Sequence, residues 1–189
     1  MQLKNDASRY GAIAQLFHWV IVILIVTQFV LAEKAEDLRG LAKLTTLAQH
    51  KSVGITILVL ALLRLGWRWM NPIPRLPDST PRWQQFAAHG SHCLLYALLL
   101  VMPVLGWFMS SARNFPVSWF GLVTLPDFIE PSESAFKFFR AAHVALSKVL
   151  FVLALVHNVA ALKHHFIDRD DVLRRMLPLK SRSQPSGRG

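Results

Sequence analysis

The apolar residues of this chain fall into four long blocks, and this grouping restricts the possible folds more than any other feature. The blocks cover roughly residues 13–32, 48–70, 86–109 and 141–163. Each is close to or longer than the ~20 residues that an α-helix needs to cross a hydrocarbon layer of about 30 Å. Only 17% of the residues are charged, whereas about 25% is usual for soluble domains. The pattern predicts an all-α membrane protein, a bundle of four transmembrane helices.

The four blocks and their connections predict a single domain. We expect residues 1–178 to form the transmembrane domain and residues 179–189 to form a disordered basic tail, because "SRSQPSGRG" offers nothing to bury. The proline-rich segment "NPIPRLPDSTP" predicts the connector between the second and third spans. Residues 110–140 then form the longer loop on the opposite side of the membrane.

The formal net charge of +10 is distributed unevenly along the chain. The N-terminus, the connector between spans two and three, and the tail carry the larger share of Lys and Arg. The opposite side is close to neutral because it also carries acidic residues. By the positive-inside rule, both termini of this multi-pass protein face the cytoplasm. The basic groups then contact lipid headgroups, and no nucleic-acid partner is expected.

Four histidines lie in or beside the apolar blocks, where ionisable residues are costly and usually functional. The topology places His50 and His143 near the external surface, and His18 and His157 in the cytoplasmic half. His143 and His157 are fourteen residues apart, which corresponds to roughly 21 Å along a helix. This spacing also directs both rings to the same seam of a left-handed bundle. The four histidines therefore form two pairs at two depths.

Small residues lie one turn from three of these histidines, at Ala14, Gly54 and Ala161. A flat macrocycle against a helix needs such room, and glycine allows the closest approach. Paired imidazoles flanked by small residues fit axial ligation of haem iron. The bundle would then enclose two b haems and carry electrons across the bilayer. Two other roles stay open: histidines that hydrogen-bond neighbouring helices, and a haem-free membrane protein that binds or transports a metal.

Four further histidines lie near the predicted cytoplasmic ends of the spans. His89 and His92, at the start of the third span, have no partner of matching depth. They either contact water and headgroups or supply hydrogen bonds and protons to a quinone. His164 and His165 end the fourth span, where a cation suits the helix dipole. We expect a structural role for this second pair.

Four stretches together resemble bacterial cytochrome b561, within the wider group that includes membrane b-subunits of nickel–iron hydrogenases and formate dehydrogenases. They are "FHW", "HKSVGITILVLALLRLGWR", "AHGSHCLLYALLLVMPVLGW" and "ALKHHFIDRDDVLRRMLP". The resemblance covers residues 8 to 178. It implies a periplasmic haem b held by His50 and His143, and a cytoplasmic haem b held by His18 and His157. It also implies a location in the bacterial inner membrane and electron exchange with ubiquinone.

Small stand-alone members of this family resemble superoxide oxidases, so superoxide is the expected electron donor and ubiquinone the acceptor. Cations on the periplasmic side would steer this anion toward the outer haem. The candidates are Lys51, Arg113, Lys137, Arg140 and Lys148. Each could instead neutralise a haem propionate or extend to the headgroups. Arg64 and Arg68 could serve the inner haem's propionates, although the positive-inside rule also explains them. The alternative function is a cytochrome b subunit that takes electrons from a periplasmic dehydrogenase or carrier protein.

Overall fold

The computed structural model describes residues 2–74 and 80–177. Its main elements are four helices, α1 (Ala12–Asp37), α2 (Gly40–Trp69), α3 (Arg82–Ser111) and α4 (Glu133–Lys163). All four are long and apolar enough to span a membrane. The predicted bundle of four transmembrane helices is therefore confirmed. The tail predicted for residues 179–189 lies outside the described residues.

Helices α1, α2 and α4 extend well beyond the apolar blocks that predicted them. Because α4 begins at Glu133, the loop predicted for residues 110–140 covers only residues 112–132. Only Leu38 and Arg39 separate α1 and α2, although the sequence between the blocks is polar over residues 33–47. These residues are mostly good helix formers without proline, so the helices continue past the hydrocarbon layer. The reversal of direction ends at Gly40, whose φ of +56° lies in the left-handed region that glycine adopts without steric cost.

Helix packing within the bundle is uneven. One buried cluster joins α1, α2 and α3 and consists of Ile21, Val53, Ile57, Ala61 and Leu99. A smaller buried cluster joins α3 and α4 and consists of Leu98, Met102 and Leu150. Within the described residues, the backbones of α1 and α2, α2 and α3, and α3 and α4 approach closely, whereas α4 hardly approaches α1 or α2. Helix α4 therefore stands apart from the α1–α2 pair, and side chains must bridge the distance.

The loop after α3 is fastened to α2 at one end of the bundle, here called the loop end. Strands β1 (Ser118–Trp119) and β2 (Val123–Thr124) form a short antiparallel hairpin. Ser52 Oγ donates to the Ser118 carbonyl and accepts from the Phe120 N–H, both at 3.0 Å. Trp119 Nε1 donates to Thr56 Oγ1 at 3.0 Å.

The opposite end of the bundle, here called the terminal end, is closed by the chain that follows α4. After one π-helical turn (His164–Asp168), residues 169–177 return beneath the start of α1 and are here called the strap. Trp19 Nε1 donates to the Met176 carbonyl at 2.8 Å, and Gln15 Nε2 donates to the Arg175 carbonyl at 3.2 Å. The strap thereby connects α1 to α4, two helices whose backbones are otherwise well separated.

Candidate haem sites

Two pairs of histidine rings bridge α4 to the α1–α2 half of the bundle. At the loop end, the ring centres of His50 and His143 are 6.3 Å apart. At the terminal end, those of His18 and His157 are 6.4 Å apart. The planes of the rings meet at 67° and 69°, respectively. We refer to these pairs as the loop site and the terminal site. The four histidines selected from the sequence are thus brought together in the two expected combinations.

The spacing of both pairs fits axial ligation of one iron. An imidazole nitrogen binds a first-row transition metal at about 2 Å, and the ring centre lies roughly 1 Å behind that nitrogen. Two rings on opposite faces of one iron therefore have centres roughly 6 Å apart. The Nδ1 atoms of His18, His50 and His143 are enclosed by protein. A backbone group of Gln28 lies close to the His50 ring, and one of Met102 lies close to the His143 ring. A ring nitrogen held in this way orients the other nitrogen, as is usual for imidazoles that bind a metal.

A glycine on α3 sets the position of one ring at the loop site. A Cβ atom built on Gly106 would lie 3.2 Å from Cε1 and 3.5 Å from Nδ1 of His143. The absence of a side chain at Gly106 therefore allows the imidazole to lie against α3. Sequence reasoning missed this residue, although a glycine in the middle of an apolar span was a usable signal. A Cβ on Gly54 would instead lie 2.9 Å from Nε2 of Gln28 on α1.

The terminal site contains a third imidazole. The ring centre of His92 lies 5.4 Å from that of His157. The expectation that His92 lacks a partner of matching depth was wrong, because the ring of His157 on α4 lies at the level of His92 on α3. His89 is exposed and lines a surface cavity of about 500 Å³ with Arg82, Gln85 and Phe86.

Two arginines of α2 also face the terminal site. The Cζ atom of Arg64 lies 5.5 Å from the centre of the Tyr96 ring, and that of Arg68 lies 5.8 Å from it. The charge of Arg64 also acts on His18, His92 and His157. Cationic side chains and three imidazoles therefore share this end of the bundle.

Comparison with known proteins identifies the family. The sequence model for prokaryotic cytochrome b561 matches residues 9–179. The chain belongs to this family. It is accordingly a multi-pass membrane cytochrome that transfers electrons and uses b-type haem.

Three relatives match the cytochrome over almost its whole length. Cytochrome b561 homolog 2 of Escherichia coli strain K12 is 34% identical over 94% of this chain and 95% of its own. A probable superoxide oxidase, CybB, of Yersinia pestis is 27% identical over 91% of this chain and 97% of its own. Cytochrome b562 of Cereibacter sphaeroides is 27% identical over 89% of this chain and 94% of its own.

The cations proposed as a superoxide entrance to the cytochrome differ in their contacts. Lys51 Nζ lies 3.3 Å from two backbone carbonyls of the loop after α3. Arg113 lies 3.5 Å and Lys137 3.6 Å from carboxylate oxygens of Glu133. Arg140 is exposed, one turn before His143, and forms no ion pair within the described part of the chain. Lys148 is likewise exposed and forms no ion pair there, so Arg140 and Lys148 are the candidates whose charges are least compensated.

His164 joins the end of α4 to the strap. Its Nδ1 lies 2.6 Å from Oδ2 of Asp170 and 3.3 Å from Oδ2 of Asp168. Lys163 Nζ lies 2.6 Å from Oδ2 of the same Asp168. These contacts agree with the structural role expected for His164.

Proposed function

We propose that this cytochrome carries electrons across the bacterial inner membrane, from superoxide on the periplasmic side to ubiquinone through two b haems. The observation that carries the proposal is the presence of two imidazole pairs at opposite ends of the bundle. Both pairs have ring centres at the spacing expected for axial ligands of one iron. Haem iron supplies one-electron redox chemistry when it is bound.

In this proposal each pair of histidines holds one haem. His50 and His143 are the ligands at the loop site, and His18 and His157 are the ligands at the terminal site. Helix α4 contributes one ligand to each site, fourteen residues apart, so a rigid helix sets a distance of roughly 21 Å between the two ligand positions. Gly54 stays a candidate for close contact with the macrocycle of the loop-site haem.

The distribution of positive charge supports an orientation with the terminal end in the cytoplasm. Several Arg and Lys residues lie at this end, among them Arg9, Arg64, Arg68, Arg82, Lys163 and Arg174. The positive-inside rule places such residues on the cytoplasmic side. The loop site then faces the periplasm and the donor, and residues 1–178 form one membrane domain.

Superoxide as the donor is supported by the charge at the loop end and by one relative's name. Superoxide is an anion, and an uncompensated cation beside the loop site would raise its local concentration. Arg140 meets this requirement better than Lys51, which donates to backbone carbonyls, and better than Arg113 or Lys137, which form ion pairs with Glu133. The relative from Yersinia pestis bears the name probable superoxide oxidase.

Ubiquinone as the acceptor is supported by the groups at the terminal end. His92 lies beside His157, and His89 lines the surface cavity at the start of α3. An imidazole near this cavity can donate a hydrogen bond and a proton to a quinone oxygen. We therefore assign the quinone to the terminal end, within reach of lipid.

Stopped-flow spectroscopy of the purified protein tests this function. Mixing with superoxide should reduce the haem rapidly, and added ubiquinone should reoxidise it. A matched trace with superoxide dismutase present should show no reduction. Slow reduction of a protein with a normal bis-histidine spectrum would remove superoxide as the donor. A periplasmic dehydrogenase or carrier protein would then become the expected donor.

A further inference from the structure

Two guanidinium groups lie at the terminal site without an acidic partner. Arg64 and Arg68 are one turn apart on α2, and both direct their Cζ atoms to the ring of Tyr96, at 5.5 and 5.8 Å. Both side chains are half-buried. Across residues 2–74 and 80–177, no carboxylate forms an ion pair with either arginine.

This arrangement differs from that of ordinary arginines at the end of a membrane helix. Such residues extend their charged groups to the headgroups and water. Here both groups lie against the same phenol ring of a neighbouring helix. A cation–π contact with tyrosine is favourable but leaves the net charge in place. Two uncompensated charges inside a span are costly unless an anion joins them.

The charges face only one of the two histidine pairs. Tyr96, whose ring both guanidinium groups face, lies one turn after His92 on α3, and the His92 ring centre is 5.4 Å from that of His157. At the loop site, the nearest cation of α2 is Lys51, and its ammonium group is turned to backbone carbonyls of the loop. The two sites therefore share their ligand spacing but differ in the charge around the ligands.

We propose that Arg64 and Arg68 bind the propionate carboxylates of the haem at the terminal site, and that they give this haem the higher midpoint potential. Guanidinium groups bind carboxylates strongly, in pairs of charge-assisted hydrogen bonds. Reduction adds one negative charge to the iron, so nearby cations stabilise the reduced form. The inference rests on the proposed ligand role of His18 and His157. Its consequence is that an electron entering at the loop end is drawn to the terminal end.

Spectroelectrochemical titration of the full-length holoprotein tests the proposal, since it resolves two haem components. The potential is held at the wild-type midpoint of the terminal-site haem, where half of it is reduced. At this potential, Arg64→Gln should lower the ratio of reduced to oxidised terminal-site haem about tenfold. This change is equivalent to a decrease of about 59 mV in the midpoint potential for one electron. Arg68→Gln should lower the ratio less, because Arg68 lies in the last turn of α2, one turn nearer to water than Arg64. The loop-site component should not move.

Two further variants make the titration decisive. Lys4→Gln removes an exposed cation from the same end of the bundle, outside the cavity at the start of α3, and should leave both potentials unchanged. Arg64→Lys keeps the charge and should keep most of the potential, even if Arg64→Gln loses the haem. Assignment of the components comes from His50→Ala, which should retain only the terminal-site haem.

Three results would overturn the proposal. They are unchanged potentials in Arg64→Gln with both haems bound, an equal shift of both components, or an Arg64→Lys variant that behaves like Arg64→Gln. In the first case the anion at the two arginines is a lipid phosphate. Failure of the underlying ligand assignment is seen separately, as retention of both haems in His18→Ala.

Discussion

The loop site and the terminal site have nearly the same ligand geometry in different surroundings. Their ring centres differ in separation by 0.1 Å, from 6.3 to 6.4 Å. At the loop site, His143 lies against Gly106, and Gln28 lies against Gly54. At the terminal site, a third imidazole and two guanidinium groups surround the pair. The two histidine pairs are therefore alike in geometry, while their neighbours make the two sites unequal.

The two ends of the bundle are also closed in different ways. A hairpin bound to α2 by Ser52 covers the loop end. At the terminal end, the strap receives hydrogen bonds from α1, including one from Trp19, the residue next to His18. The hydrogen bonds at each end involve a helix that carries a proposed ligand. Mutations can therefore remove these hydrogen bonds without changing the histidines.

The largest expected effect comes from removal of a ligand. His50→Ala or His143→Ala should empty the loop site and leave the terminal haem, whereas His18→Ala or His157→Ala should do the reverse. Each loss removes one of two axial ligands, and electron transfer between the two ends should stop. Haem content per protein, together with the spectrum, measures this. If His50→Ala and His157→Ala lost the same haem, the pairing would be wrong.

A smaller effect, confined to the loop site, is expected from Gly106→Ala. The new Cβ would lie 3.2 Å from the imidazole of His143, and overpacking of this kind typically costs about 1–3 kcal/mol. The loop-site haem should show an altered low-spin signal and should be lost more readily. Gly90→Ala on the same helix is the matched control, because its Cβ would have no neighbour within 4 Å among the described residues. Equal behaviour of the two variants would contradict a positioning role for Gly106.

A change of several-fold is expected in the reaction of Arg140→Gln with superoxide. The variant loses an exposed cation beside the loop site, so the second-order rate of haem reduction should fall at low ionic strength. The difference from wild type should shrink as added salt screens the charge. Lys137→Gln is the matched control, since Lys137 is already paired with Glu133. An equal decrease in both variants would assign the effect to general surface charge.

The smallest effects come from the two closures. Trp19→Phe removes the hydrogen bond to Met176, and Trp119→Phe removes the one to Thr56. Each bond contributes about 1 kcal/mol. We expect the first variant to release the terminal-site haem slightly faster, and the second to affect only the loop-site haem. Haem-release rates for each component on mild heating measure this, and a common response would mean that the two ends are not independent.

Sequence alone was sufficient for the four spans and for the choice of His18, His50, His143 and His157. Apolar blocks reflect the cost of placing a chain in hydrocarbon, and a histidine inside such a block stands out against that cost. The same pattern underestimated the lengths of α1 and α2, because hydropathy does not report helical structure outside the hydrocarbon layer. The position of His92 was misjudged for a different reason, since pairing the four histidines by depth left no place for a third ring beside His157.

Only the tertiary structure decided how the two sites differ. The contact between Gly106 and His143, the position of His92 beside His157 and the two guanidinium groups on Tyr96 all join different helices. Periodicity within one helix indicates which face is apolar, but not which residue of another helix meets it. Composition and spacing thus determined a membrane bundle with paired histidines. The packing of helices against one another determined what surrounds each pair, because contacts between helices depend on their relative position and rotation.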